Sequence, residues 1–362
     1  MKKLKTCYFA LITGVFIVSC GGGSDSQTPV ISPPIPPASI VKDILTDSVT
    51  VNKIYLDGEA QITGTSKGIL WRENNTAQWQ DRSPNANGLQ SLAIISEGHY
   101  IAAMQVEGAD PYTEPSPLYF TQDSGQHWQI VNHNFGRNEY SVINNIAYDQ
   151  TNNLLYAVGD TSFAVSDTSA ENWTLLDGTW DGFASGLALL IPHPSQNFVW
   201  FGGQGPIENG YLKRYSMVDG SVTTWTDLLP NPSVFKGGMI HPTDKQTVIF
   251  GSEGGIVVST DNGENWIKPL GDVNHLFYWD IVIDDEGNLY TASYNKQKSE
   301  QPLEVLCSSD NGVTWISNNI KEVDKGGVKS LLMVQTDTHN ELYLGLWDNG
   351  IKSIKTSNIN CS

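Results

Sequence analysis

The sequence predicts an all-β fold made of repeated four-strand units, and three observations predict it. The first is a turn signature written three times. It reads TQDSGQHW at 121–128, STDNGENW at 259–266 and SSDNGVTW at 308–315, each a Ser/Thr-x-Asp-x-Gly-x-x-Trp. The second is a period. Trp79, Trp128, Trp173, Trp225, Trp266 and Trp315 follow one another at spacings of 49, 45, 52, 41 and 49 residues. A repeat of that length is the mark of stacked supersecondary units, propeller blades above all. The third is the run pattern. Short stretches rich in β-branched and aromatic residues are bounded by Gly, Pro, Asn and Asp, and no long window carries a helical 3.6 period.

The signature has a physical reading as a corner. Asp123, Asp261 and Asp310 can accept hydrogen bonds from backbone N–H groups just downstream and close an Asx-turn. Gly125, Gly263 and Gly312 can take positive φ without a Cβ clash. Trp128, Trp266 and Trp315 then enter the next strand and can bury an indole, whose full burial hides about 150–250 Å². Turn chemistry accounts for every fixed position, so these residues are assigned to architecture.

In chain order, MKKLK is a basic leader and CYFALITGVFIV a short apolar segment, the shape of a secretory signal over residues 1–19. FIVSC resembles a bacterial lipobox, which implies lipidation of Cys20 and, with no Asp after it, sorting to the outer membrane. Residues 20–38 are Gly/Ser-rich and then Pro-rich, a tether that is flexible and then stiff. Residues 39–362 hold the repeats. Each block reads as four strands, as in VFKGGMIHP, TVIFGSE, GIVVST and NWIKPL across 234–270. Six blocks end in Trp. A seventh, VKSLLMVQ, ELYLGLWD and GIKSIKT, is one strand short, and SIVKDILTD at 39–47 has no partners of its own. The expectation is a seven-bladed β-propeller whose N-terminal strand completes the last blade, a closure that removes open sheet edges.

The quoted turns resemble those of the Asp-box (BNR) repeat propellers. That superfamily includes sialidases, xyloglucan-type glucanases, sortilin-like receptors and photosystem II assembly factors, and the resemblance covers nearly all of 39–362. It implies fold more than chemistry, because these members do different things. A sialidase needs an arginine triad on inner strands. The arginines here are Arg72, Arg82, Arg137 and Arg214, with Arg72 and Arg214 on third strands, and no Phe-Arg-Ile-Pro occurs. The stretch YLGLWDNGIKS resembles the Asp-bearing loop of the glucanases, which makes Asp348 the one catalytic candidate.

The binding-face candidates lie in the loops opposite the Asp-box corners. They are the aromatics Tyr112, Phe135, Tyr140, Trp180, Trp279, Tyr294 and Trp347, with the carboxylates Asp181, Glu208, Glu253, Asp280 and Asp348. Aromatics beside carboxylates suit a sugar ring or a protein segment. Asp284, Asp285 and Glu286 read as a hairpin turn, and His193 and His241 as equivalent corners, so no metal site and no cofactor are expected. Of the cysteines, Cys307 and Cys361 remain after the leader and Cys20 are set aside. They either pair, in an oxidising compartment, or leave Cys307 buried and Cys361 free.

The formal charge is −18, and loss of Lys2, Lys3 and Lys5 with the leader takes it to −21. So acidic a chain is a poor partner for nucleic acid or anionic headgroups. The expectation is a monomeric outer-membrane lipoprotein, periplasmic or surface-facing, that touches the membrane only through its lipid. It acts as a non-catalytic binding or assembly scaffold for an envelope protein or glycan. The alternative is a carbohydrate-active enzyme using loop carboxylates.

Overall fold

A computed structural model describes residues 39–106, 115–138, 142–180, 186–205, 209–230, 232–336 and 338–362. The leader, Cys20 and the tether lie outside the described residues. The described strands form six antiparallel sheets, set as the blades of a β-propeller around a central cavity. Four are simple four-strand meanders. The first runs Val51–Asp57, Ala60–Thr65, Gly68–Arg72 and Gln80–Asp81, and the second Leu89–Ser96, His99–Met104, Leu118–Thr121 and Gln129–Val131. The third runs Asn145–Asp149, Leu154–Val158, Ser162–Ser166 and Thr174–Gly178, and the fourth Gly186–Pro192, Phe198–Gln204, Gly210–Ser216 and Val222–Thr226. In the last sheet Val328–Gln335, Asn340–Leu346 and Ile351–Lys355 are joined at the edge by Val41–Leu45, with Val41 opposite Ile354 and Asp43 opposite Lys352.

The remaining sheet corrects the expected count of seven. Phe235–Ile240, Val248–Ser259, Val273–Ile283, Leu289–Asn295, Leu303–Ser308 and Ile316–Ile320 are hydrogen-bonded into one six-stranded sheet, so the blades number six. The segments TVIFGSE and GIVVST were expected to be two strands with a turn between. They run instead as a single 12-residue strand, buried throughout. Gly254 and Gly255, at φ +92° and +143°, redirect the chain inside it. Glu253 then pairs with Phe277 and Gly254 with Val273, which carries the ladder across to the next strand. The expected fourth strand, NWIKPL, makes only an isolated bridge, Ile267 to Val258. The long sheet folds over its own core: Ile249, Ile256 and Val258 pack on Tyr278, Ile281 and Leu289.

Elsewhere the core lies between neighbouring sheets. Ile62 and Ile69 meet Leu89, Leu92 and Tyr100, and Trp200 and Leu212 meet Phe250 and Val257. Sheets approach closely where the second strand of a unit is small. A Cβ on Gly345 would sit 2.5 Å from Val51 Cγ1, and one on Gly64 would sit 2.4 Å from Leu89 Cδ2.

The three signature corners share one hydrogen-bond scheme, which differs from a plain Asx-turn. The Ser or Thr hydroxyl donates to the Asp carboxylate, at 2.8 Å for Thr121, 2.8 Å for Ser259 and 2.9 Å for Ser308. The same hydroxyl accepts the Gly N–H, and the Asp accepts the N–H four residues on, from His127, Asn265 and Thr314. Positive φ begins one residue before the Gly, at Ser124, Asn262 and Asn311. Asn265 holds the Asp261 carboxyl below its usual range through its side-chain and backbone amides. The three tryptophans are half-buried, not fully buried. Trp128 Nε1 donates to the Arg82 carbonyl and Trp315 Nε1 to that of Gly312.

Asp284 accepts from Glu286 N, Asn288 N and the Tyr290 hydroxyl and so closes its hairpin. His193 and His241 accept backbone N–H groups at their corners. Cys307 and Cys361 are disulfide-bonded, which ties the C-terminal tail to the six-stranded sheet.

Candidate functional site

Strands from every sheet border an axial cavity of about 530 Å³. Its lining has a common structural origin. Six of the strands around it carry a β-bulge, near the start at Asn52, Gln90, Ala188, Lys236 and Lys329 and in the second half of the strand at Trp279–Asp280. A bulge breaks strict alternation and re-aims the extra residue. Every one of these residues lines the cavity. Several also stitch the ring together. Asn52 Nδ2 donates to the Leu89 carbonyl at 2.9 Å, and Asn145 Nδ2 to the Ala188 carbonyl at 2.9 Å.

Asp280 is the most heavily engaged of them. It is buried and accepts from Lys53 Nζ at 2.6 Å, Leu331 N at 3.0 Å and Ser330 Oγ at 3.4 Å. It thereby joins three strands from three sheets. A side chain so used is a latch of the frame.

Beside the axis opens a groove of about 580 Å³, walled by Phe277, Trp279, Tyr294 and Trp347 with Lys236, Lys296 and Glu253. Two stacked pairs form its aromatic wall. Phe277 and Trp279 have ring centres 5.6 Å apart at 24°, and Tyr294 and Trp347 5.1 Å apart at 16°. Trp347 is 44% exposed, the largest apolar side chain so displayed among the described residues. A third cavity continues past Tyr294 and Trp347 to Lys298, Lys325 and Asp348.

The groove carries cations. Lys236 Nζ and Lys329 Nζ each lie 4.8 Å from the Trp279 ring centre, and Lys329 is also 4.9 Å from that of Trp347. Cation–π attraction favours such placements. Burial pushes Lys236 down to about 8, against the pull of Glu253. Burial, aided by repulsion from Lys236, pushes Lys329 down to about 8. Both ammonium groups are recessed: solvent reaches them through the cavity, yet protein surrounds them. The Trp279 indole N–H is buried with no acceptor among the described residues.

Of the candidates read from sequence, the structure brings Glu253, Trp279, Asp280, Tyr294, Trp347 and Asp348 to this face. Glu253 is buried against the Lys296 ammonium group. Asp348 is exposed, at φ +55°. Phe135 does not belong to it. It is buried in a core cluster, edge-on to Trp173 and to Trp180. Trp180, also a binding-face candidate, is half-buried on Phe135. Tyr112, Tyr140, Asp181 and Glu208 lie outside the described residues. Arg72 stacks on Trp79 and bonds Gln61, Arg82 stacks on Trp71, and Arg214 packs near Trp225. Sequence reasoning missed Lys53, Lys236, Lys296 and Lys329. Aligning the units shows a signal for three of them, the Lys early in the inner-strand segments VNKIY, FKGGM and VKSLL.

No protein-family model matches the chain, and no curated protein matches it. Solved structures with the same architecture do. A GH74 enzyme of Niastella koreensis matches at 17% identity and TM-score 0.61, over 87% of this chain and 44% of that one. An ancestral GH74 enzyme matches at 14% and 0.64, over 88% and 49%. The extracellular domain of a hybrid two-component system of B. thetaiotaomicron matches at 14% and 0.62, over 84% and 38%. The chain spans less than half the length of each, and at these identities the likeness shows the β-propeller fold alone.

Proposed function

We propose that this protein is a non-catalytic saccharide-binding propeller. The observation that carries the reading is the open groove in which exposed Trp347 stacks on Tyr294 beside Phe277 and Trp279. Flat rings present apolar faces for sugar C–H groups, and the polar neighbours supply hydrogen bonds that fix orientation. Glu253 and Asp280, the buried carboxylates at hand, are each occupied by a lysine. The GH74 neighbours and the extracellular sensor domain are compatible with a carbohydrate-related role for the fold. We further propose that the chain is an Asp-box propeller, lipidated at Cys20 and held by the 20–38 tether at the outer membrane.

The test of binding is calorimetry and a glycan array on wild type and Trp347→Ala. A bound glycan should lose at least about tenfold in affinity in the variant, the scale of one aromatic hot spot, at unchanged melting temperature. No glycan bound by wild type, or equal binding by the variant, sinks the reading. Cleavage of a bound glycan by wild type that disappears in Asp348→Asn would make the protein a hydrolase instead. For the anchor, Cys20→Ala should move the protein from membrane to soluble fractions, and continued membrane fractionation would refute it.

A further inference from the structure

The chain is strongly acidic, yet the lining of its cavities among the described residues is not. Six of its 17 lysines line the three contiguous cavities: Lys53, Lys236, Lys296, Lys298, Lys325 and Lys329. Two of them are satisfied by carboxylates. Lys53 pairs with Asp280 and Lys296 with Glu253. Lys236 and Lys329 have no carboxylate within ion-pair distance among the described residues. Lys329 Nζ donates to Asn52 Oδ1 at 2.9 Å, a neutral partner.

The positions of these two lysines follow from the backbone. Each occupies the bulge of its inner strand, and the strands flank the one that bears Trp279. The Trp279 ring therefore has an ammonium group near it from each neighbouring strand, and Lys329 bridges from it to Trp347. Each ammonium group lies 4.8 Å from the same ring centre and the two repel one another, so holding both desolvated without a counter-ion is costly. A bound anion removes that cost, and the Trp279 ring lines the same space. The groups facing the pair are Asn52, the Lys53–Asp280 and Lys296–Glu253 ion pairs, and Asp160 across the cavity.

We propose that the ligand is an acidic saccharide, with a sugar ring against the Trp347–Tyr294 stack and a ring carboxylate between Lys236 and Lys329. The proposal rests on the saccharide reading of this groove and adds the charge of the ligand. The aromatic wall calls for a molecule with an apolar ring face, and the throat beside it calls for an anion, so both features belong on one compound. A uronate unit carries both. The four arginines, which would suit bidentate recognition of a phosphate or sulfate, are not among the cavity-lining residues.

The experiment is titration calorimetry of the folded protein with a panel of uronate oligosaccharides, each paired with its methyl ester. The ester keeps backbone and size and removes the charge. Sulfated oligosaccharides of neutral sugars form a third arm. The expected result is that an acid binds at least about tenfold more tightly than its ester, since charge-assisted hydrogen bonds are the stronger class. That preference should shrink in Lys236→Gln and Lys329→Gln, and with added salt. Lys329→Arg should retain it, and thermal melts report that each variant is folded. Equal or tighter binding of esters overturns the acidic ligand and leaves the saccharide reading standing. Tighter binding of sulfated sugars overturns the carboxylate assignment. Binding of none of the three classes overturns the acidic ligand, and the glycan array then decides the saccharide reading by itself.

Discussion

Asp280 offers a test of whether an axis carboxylate belongs to the frame or to chemistry. Asp280→Asn keeps the shape of the side chain and can still accept one hydrogen bond from Leu331 N. It loses the ionic partner of Lys53, which is itself partly exposed and can turn to solvent. A hydrogen bond involving a charged group contributes about 1.5–3 kcal/mol. The exposure of Lys53 trims the ionic part, so about 2 kcal/mol is the expected loss. For the roughly 320 residues of Ser39–Ser362, an unfolding entropy of about 2.1 cal/mol/K per residue makes that roughly 3 °C in Tm.

Asp280→Ala, which leaves Leu331 N and Lys53 both without an acceptor, should lose about 3–5 kcal/mol and fall further. The assay is differential scanning calorimetry of wild type, Asp280→Asn, Lys53→Met and the double variant. The double-mutant cycle isolates the pair. In the same samples acidic-saccharide binding should hold or tighten, because the change removes a negative charge beside the lysines. A Tm within 1 °C of wild type with no coupling to Lys53, checked against that ~3 °C estimate, refutes the latch. Weaker binding at unchanged Tm would move Asp280 into the ligand site.

Two further outcomes follow from the same structure. The Cys307–Cys361 bridge closes a loop with a sequence separation of 54, for which the chain-entropy relation gives about 4 kcal/mol; Cys361→Ser should lower Tm in calorimetry, and an unchanged Tm would show the bridge contributes nothing. Lys236 and Lys329 sit at about 8, below the ordinary lysine value. The fold therefore disfavours their charged forms, and stability should rise with pH from about 8 to about 10.5 as the native protons leave first. Acidic-saccharide binding should move the opposite way, weakening above pH 8, with proton uptake on binding in that same range and little below it. Calorimetry in buffers of different ionisation enthalpy reads this, and binding constant from pH 6 to 10 would refute it.

The repeat and its strands were legible because each unit writes its own turn chemistry and buries its own alternation. The Trp period and the three Ser/Thr-x-Asp-x-Gly-x-x-Trp corners marked where units recur. What they did not show was connection between units. A Gly-Gly pair normally reads as a turn. Gly254–Gly255 instead bends a strand that stays paired on both sides, which merges two expected units into one sheet. Nothing local distinguishes the two outcomes, because the partner that decides is Phe277, 24 residues from Glu253.

The site was half legible for a related reason. Loop aromatics such as Tyr294 and Trp347 stand out from composition alone. The lysines do not, because a period-two reading places alternate residues on opposite faces and never on the axis. Lys236 and Lys329 reach the cavity through bulges, whose extra residue is set by pairing register and not by residue type. Net charge hid them as well. A sum of −18 argues against anionic partners only if the charge is spread evenly. Here the ring gathers lysines from the inner strands of separate sheets into one cavity wall, while acidic residues such as Asp123, Asp261 and Asp310 sit at corners on the opposite side of their strands. A fold that sorts charge in this way can carry an acidic body and a cationic throat on one chain. The sign of the ligand is then read from the wall it touches, and that wall is basic.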